Sequence, residues 1–358
     1  MTDRRSSRTL LVGTYPVAGQ GTPSGRGEGV WRLRLDPDTG HLDDAEQLVQ
    51  TSAPSFLATG SDPNLLYAVN EDVDGRVSVF RLTDAGLDQL AVVRTGGAHP
   101  CHLLHVPQIN AVVVANYTSG SLSVLRLRAD GVPERDEPDQ LIELHGRGPR
   151  ADRQESSHAH YLLFAPGGQY LLLVDLGADR VLRFRLDPTT RTVIEDGIAV
   201  TLPAGSGPRH AVFSGDGTRL HVVGELDGRL HTVDWNAPAA AGDVISSVPA
   251  QTRPGEAHLS HISRTGTTLR IGVRGHDLLA VHTLGADGLP RLSTEQALPG
   301  SWPRHHAHVG PWTLVAQQNG GGIVALAPDG AVRGHADVPS PACVLPISES
   351  GWRSELDD

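Results

Sequence analysis

An all-β fold is the class this sequence predicts, and three observations carry that prediction. Short β-rich runs bounded by turn residues recur along the whole chain, and no long run keeps the roughly 3.6-residue period of a helix. Glycine (41) and proline (25) are abundant and fall between the runs. A four-strand pattern then restarts six times. Its equivalent positions are read as Ser55, Cys101, His160, Arg209, His258, Arg304 and Ala342, which lie 46, 59, 49, 49, 46 and 38 residues apart. A four-stranded unit recurring every ~40–50 residues predicts a β-propeller. Six complete units, plus a three-stranded N-terminal unit completed by a lone C-terminal strand, make seven blades. That exchange leaves no open sheet edge at the seam.

The elements follow in order. Residues 1–8 are polar and read as a disordered arm, 9–347 as a single propeller, and 348–358 as a polar tail. Residues 10–15 predict a strand, 16–28 a Gly-rich loop, and 29–35 a strand by alternation. A turn at 36–40 leads to a third strand within 41–50. The first full unit starts at Pro54, with strands at 55–59, 65–71, 76–82 and 90–94. Restarts follow at Pro100-Cys101-His102, His158-Ala159-His160, Pro208-Arg209-His210, Ala257-His258-Leu259 and Pro303-Arg304-His305. Residues 341–347 supply the lone closing strand. Between Leu127 and His158 lies an insertion with an outer strand at 141–144 and a polar stretch at 145–157, a candidate lid over the channel mouth.

Composition narrows the chemistry. The net charge of −11 argues against a nucleic-acid partner, which needs a basic face. No lysine occurs, so Schiff-base catalysis and a P-loop lysine are excluded and any anion site must use Arg, His or backbone N–H groups. No apolar run approaches the ~18 residues of a membrane span, and the polar N-terminus does not read as a signal peptide. A cytoplasmic location is therefore expected, with Cys101 and Cys343 reduced rather than bridged. The 18 histidines raise the question of a metal. No spacing matches a zinc signature, and His305, His306 and His308 lie along one strand where alternate side chains diverge, so neither metal nor cofactor is expected. Asn116-Tyr117-Thr118 is a glycosylation sequon by pattern only, and Gly320-Gly321-Gly322 is a turn rather than a phosphate cradle, because a strand follows it.

In a propeller the first strand of each blade lines the channel, and the second strand exits at the same mouth. Residues 207–225 display the arrangement: a Gly-Asp-Gly turn joins two strands, with Arg209 and His210 at the entrance and Glu225 at the exit. Across the repeats the first strands contribute Cys101, His102, His160, Arg209, His210, His258, Arg304 and His305. The second-strand exits contribute Glu71, Tyr117, Asp175, Glu225, Arg274 and Gln318. Clustered Arg, His and Glu at one mouth point to a site for an anionic small molecule. A competing structural reading pairs Glu225 with Arg209 or Arg274 as an inter-blade ion pair. His158 is a further candidate, two residues before His160 on the same strand.

A set of short motifs runs along the chain in order: Leu11-Val-Gly-Thr-Tyr15, Ala68-Val-Asn-Glu71, Pro100-Cys-His102, Ala115-Asn-Tyr117, Arg153-Gln154, His158-Ala-His160, Asp175-Leu-Gly177, Gly207-Pro-Arg-His210, Glu225-Leu226 and Arg274-Gly-His-Asp277. In these motifs the chain resembles the lactonase family of seven-bladed propellers, which includes propeller-type 6-phosphogluconolactonases and the 3-carboxy-cis,cis-muconate lactonising enzymes. The resemblance implies catalytic roles for His160, Arg209, Glu225 and Arg274. His102, His210, Glu71, Tyr117, His158, Arg304 and Gln318 are left as substrate-binding candidates. It implies hydrolysis of an anionic, sugar-type lactone without a cofactor, with His160 or Glu225 taking the proton of the attacking water and the arginines holding the anion. The alternatives are a cycloisomerase acting on a muconate-like dicarboxylate and a binding propeller without catalysis. Gly224 and Val273 stand where the family often has Asn, a residue expected to orient its neighbours.

Overall fold

A computed structural model describes residues 7–15, 29–43, 45–83 and 85–347. The predicted arm and tail, apart from residues 7 and 8, and the Gly-rich loop at 16–28 lie outside these residues. Seven four-stranded antiparallel sheets form the propeller. Blade 1 spans 57–94, blade 2 spans 100–143, blade 3 spans 159–201, blade 4 spans 208–249, blade 5 spans 258–297 and blade 6 spans 303–336. Blade 7 takes its innermost strand, Pro341–Ile347, from the C-terminal side and pairs it with Arg8–Thr14, followed outward by Val30–Leu35 and Glu46–Val49. The first strand begins at Arg8, inside the stretch read as an arm, because Arg8 pairs with Leu35. The predicted outer strand of the insertion is Gln140–Glu143, which completes blade 2 against Ser121–Arg126.

Neighbouring blades are held together by apolar clusters at all seven interfaces. The second strands are buried on both faces and read as near-continuous apolar runs: Val112, Val113, Val114 and Ala115 are all fully buried, as are Leu171–Val174. Packing on both sides explains why alternation is lost there and kept on the outer strands. The smallest of these clusters, between blades 5 and 6, contains Leu279, Val315, Val324 and Leu326. Polar contacts supplement it: Ser263 Oγ lies 2.7 Å from His306 Nε2 and 2.8 Å from His308 Nε2, so these two histidines, expected to diverge, share a face because they stand two residues apart on the strand. Cys101 and Cys343 are buried free thiols.

One local feature sets the geometry of the mouth. In the first strand the pairing register slips just after its opening residues, at Pro100/His102, Ala159/Tyr161, Pro208/Ala211, Leu259/Ile262 and Pro303/His305. Such β-bulges re-aim side chains. The residue before the strand's proline is left-handed at Ala53, His99, Gly207, Trp302 and Ser340. Its carbonyl accepts the backbone N–H of the second-strand exit: Ala53 from Glu71 (2.9 Å), His99 from Tyr117 (2.9 Å), Gly207 from Glu225 (2.8 Å), Trp302 from Gln318 (3.1 Å) and Ser340 from Tyr15 (3.0 Å). Entrance and exit are thereby stapled together in each of these blades. At Gly207 a side chain is excluded as well, because a Cβ would lie 2.3 Å from Leu226 Cγ.

Candidate active site

This register gives two tiers of residues at the mouth. The upper tier comprises Ser55, Cys101, His160, Arg209, Ser260, Arg304 and Ala342, with the exits Tyr15, Glu71, Tyr117, Leu176, Glu225, Arg274 and Gln318 beside them. Two expectations are corrected. Blade 5 has Leu259 where five of the others have proline, so its equivalent residue is Ser260, and His258 stands two residues outside the tier. Asp175 is not an exit. Its fully buried carboxylate accepts the His158 backbone N–H (2.8 Å) and pairs with Arg180 (3.1 Å), which makes it a latch within blade 3. The exit there is Leu176, whose N–H donates to His158 O (3.0 Å).

The lower tier is a floor of rings. Centroids are 4.2 Å apart for Phe56–His102, 4.4 Å for His102–Tyr161, 4.2 Å for Tyr161–His210, 5.1 Å for His210–His261, 4.2 Å for His261–His305 and 5.8 Å for His305–Phe56. His210 Nδ1 lies 2.9 Å from His261 Nδ1, which requires one imidazole to donate and the other to accept. Burial holds these imidazoles neutral, with His102 and His305 pushed down to about 3 and His210 and His261 well below their ordinary value. The predicted candidates His102 and His210 thus belong to the floor of the bowl. His261 completes the circle and was absent from the sequence reading, hidden by the two-residue shift in blade 5.

On one side of the bowl Glu225 meets three guanidiniums: Arg274 at 2.7 Å, Arg153 at 2.8 Å and Arg209 at 3.0 Å. Glu225, Arg209 and Arg274 are nearly fully buried. The Arg209 Nε is at ion-pair distance but not aligned for a hydrogen bond, while its Nη1 donates to Ser260 O at 2.7 Å. Arg274 donates to His258 O and Leu259 O and lies 5.4 Å from the Trp302 ring centroid. Burial alone would raise the Glu225 carboxyl, but the three guanidiniums hold it well below the usual carboxylate range. Burial, with Arg274 and Arg304 nearby, pulls Arg209 down to about 9.

Arg153 comes from the 145–157 loop and was quoted in the sequence only as part of a motif. Its neighbour Gln154 is fully buried and fixes the loop by donating to Leu176 O (2.9 Å) and Asp179 Oδ1 (2.7 Å). Arg153 also reaches Tyr117 Oη at 3.3 Å. Tyr117 stacks on His158 at 4.5 Å and meets His160 edge-on at 5.6 Å. His158 is further held by Tyr117 O at 3.0 Å and Glu155 at 3.3 Å. His160 is buried and its Nδ1 has no hydrogen-bond partner among the described residues. Burial and Arg209 depress it well below its ordinary value, so the imidazole is neutral.

On the other side Glu71 keeps different company. Tyr15 Oη donates to Glu71 Oε2 at 2.6 Å, and Ser55 Oγ donates to the same oxygen. Arg304 contacts Tyr15 Oη, lies 4.4 Å from its ring centroid, and donates to Gln318 Oε1 at 3.3 Å. A cavity of about 10 Å³ lies between the two sides, with Tyr15, Ser55, Glu71, His160, Arg209 and Arg304 in its walls. A larger one of about 730 Å³ opens between blades 4 and 5, lined by Arg150, Arg229, Arg253 and His258 among others. It does not include Arg209 or His160, both of which line the smaller cavity. Among the described residues no group of three or more His, Cys, Asp or Glu is placed to hold a metal ion. No helix among them is long and apolar enough to cross a membrane.

Gly224 resolves what stands in place of the family's Asn. At the equivalent position of blade 2, Asn116 binds Ser121 and Ser123 of its own blade (3.1 and 2.8 Å), so it ties adjacent strands and does not touch the mouth. At Gly224 a Cβ would lie 2.2 Å from Asp227 Oδ1, and Asp227 pairs with the buried His231 at 3.2 Å. The pair Asp227–His231 fills that space.

Comparison with known proteins agrees with this architecture. The family described as lactonase, 7-bladed beta-propeller, matches residues 9–346. A 6-phosphogluconolactonase of Bacillus subtilis (strain 168) is 29% identical over 306 residues, covering 82% of this chain and 82% of that one. A 6-phosphogluconolactonase of Formosa agariphila is 27% identical, covering 77% and 81%. The solved structure of the periplasmic gluconolactonase of Pseudomonas aeruginosa superposes with a TM-score of 0.83 at 28% identity, covering 96% and 99%.

Proposed function

The chain belongs to the lactonase family of seven-bladed β-propellers, and from that premise we propose that it hydrolyses an anionic sugar lactone of the 6-phosphogluconolactone type at this mouth. The observation that carries the substrate class is the charge balance. Four guanidiniums, Arg153, Arg209, Arg274 and Arg304, face two carboxylates, Glu71 and Glu225, while the buried imidazoles are neutral. The surplus of positive charge suits a phosphate or carboxylate held by planar guanidiniums.

Ester hydrolysis needs a polarised carbonyl, an activated water and a place for the developing oxyanion. Arg209 is oriented by Ser260 O and Glu225 and lines the small cavity, so it is placed to receive the oxyanion. His160 lines the same cavity and, being neutral, supplies a hydrogen bond rather than a charge. Glu225 keeps the guanidiniums at fixed spacing. Its carboxyl, held far below the usual range, is a poor proton acceptor, which argues against the base role expected for it. The Arg153 loop reaches the rim of the bowl through Glu225 and Tyr117. The expectation of a cytoplasmic location stays part of this proposal.

The test is an assay of purified protein against a panel of phosphorylated, carboxylated and neutral lactones. Turnover of a phosphorylated sugar lactone is expected, with kcat/KM falling by about 10²-fold or more in Arg209→Ala, as for loss of an oxyanion donor. Background rates on every lactone with the wild-type protein would end the hydrolase reading.

A further inference from the structure

We propose that Glu71 is the general base of the reaction, a role that rests on the hydrolase reading above. The bowl holds two carboxylates at its mouth, and only one is free to accept a proton. Glu225 has its two oxygens occupied by Arg153, Arg209 and Arg274. Glu71 carries two hydroxyl hydrogen bonds on Oε2, from Tyr15 and Ser55. Its Oε1 has no hydrogen-bond partner among the described residues, and no guanidinium among them lies within ion-pair distance. The two hydroxyls fix the plane of the carboxylate, an orienting role that catalytic bases need. Tyr15 is in turn held by Arg304 through its hydroxyl and its ring face.

The space beside Glu71 is also the right size. The cavity of about 10 Å³ is walled by Glu71, Ser55, Tyr15, His160, Arg209 and Arg304. A polar space of roughly 10–15 Å³ is what one water molecule needs. A water there touches the base on one wall and the proposed oxyanion holder, Arg209, on another. Glu71 Oε1 takes a proton from that water as its oxygen bonds to the lactone carbonyl carbon, and the carbonyl π pair moves onto the oxygen facing Arg209. Collapse of the tetrahedral intermediate breaks the ring C–O bond. The departing alkoxide takes the proton back from Glu71. The hydroxy acid then ionises and releases one proton to solvent, so each turnover consumes one water.

The charged and titratable groups facing Glu71 are Tyr15 and Arg304 from blades 7 and 6 and Cys101 from blade 2. Arg209, His160 and His305 line the same cavity. Burial drives the Tyr15 hydroxyl and the Cys101 thiol upward and the imidazoles downward, so none of these competes for the role near neutral pH.

The experiment is the pH profile of kcat and KM for wild type, Glu71→Gln and Glu71→Ala with the best lactone of the panel. Glu71→Gln keeps an acceptor for Tyr15 and Ser55, so the fold is retained. Its kcat is expected to fall by about 10²–10³-fold with little change in KM, and the acid limb of the profile is expected to vanish. Added formate is expected to restore part of the lost rate in Glu71→Ala, a readout that a merely structural role would not move. Glu71→Gln retaining more than a tenth of wild-type kcat, a loss confined to KM, or an unchanged acid limb in an active variant would overturn the assignment while leaving the hydrolase reading intact. A wild-type protein inactive on all lactones would instead remove both.

Discussion

Glu71 and Glu225 occupy the same position in their blades, three blades apart across the mouth. Each follows the last residue of a second strand, and each is stapled by its backbone N–H to the carbonyl before the first strand. The repeat therefore delivers two carboxylates to one bowl by the same local geometry, and their neighbours give them opposite chemistry. Glu225 sits among three guanidiniums, one from its own blade, one from blade 5 and one from the loop before blade 3. Glu71 sits among hydroxyls, from Tyr15 and Ser55, and Arg304 contacts the first of these rather than pairing with the carboxylate. Position in the repeat determines that a side chain reaches the mouth; the residues contributed by adjoining blades determine what it does there.

The largest effect expected from breaking this contrast is at Glu225. Removing one partner of a buried ion pair leaves uncompensated charge and costs roughly 3–5 kcal/mol, and here Arg209 and Arg274 are both left buried without their carboxylate. Glu225→Gln is therefore expected to lose most of that range in chemical denaturation, far more than Glu71→Gln. The pH dependence follows from the sign of the shift. The folded carboxyl is held well below its reference value of 4.5, so its contribution is complete above that value and is lost as pH falls toward the folded value. The stability gap between wild type and Glu225→Gln should be constant at neutral pH and narrow below about 4.5. The floor imidazoles, depressed by burial, lose stability in both proteins as pH drops below their ordinary value near 6.5, so the comparison cancels them. A gap that stays constant down to strong acid would refute the ion-pair account.

These two sides were not equally legible in the sequence. The sevenfold architecture and the shared closing blade followed from spacing and from proline-led first strands. The Glu225 side was legible because Pro208-Arg209 marks the bulge position plainly. Blade 5 has Leu259 in place of that proline, and the count there shifted by two residues, promoting His258 and hiding Ser260 and His261. Asp175 was misplaced by one residue for a similar reason: exits are defined by the backbone bond to the first strand, which composition does not reveal. Arg153 belongs to a loop whose fold depends on the buried Gln154, a long-range contact with no periodic signal. Tyr15 was read as the end of a strand, and only the pairing with Pro341–Ile347 makes it the seventh exit.

A smaller effect is expected at Gly224, immediately before Glu225. Asn at this position would press on Asp227 Oδ1 and on Ser206 O, which lie 2.2 and 2.9 Å from an added Cβ. Overpacking of this kind typically costs about 1–3 kcal/mol. Asp227→Ala removes the closer obstacle, so Gly224→Asn with Asp227→Ala is expected to cost less than the sum of the two single changes, as measured by a double-mutant cycle in denaturant. The Asn is expected to tie the strands of blade 4, as Asn116 does in blade 2, and to leave kcat unchanged. A change in kcat without a change in stability would show instead that this position acts on the mouth.

The smallest effect, and the one that sharpens the contrast most finely, is at Arg153. Its side chain is 35% exposed, against 3% for Arg209 and 6% for Arg274. An ion pair that open to water contributes at most ~1 kcal/mol, about fivefold in an equilibrium. With Arg153→Ala, Glu225 keeps two guanidiniums, and the denaturation midpoint should barely move. What changes is the field at the entrance. KM for a phosphorylated lactone is expected to rise by up to about fivefold at low salt, with kcat unchanged, and the difference should shrink as added salt screens the exposed charge. A neutral lactone should not respond. If Arg153→Ala raised KM equally for charged and neutral lactones, the loop would be shaping the bowl sterically, and the charge surplus at the mouth would rest on Arg209, Arg274 and Arg304 alone.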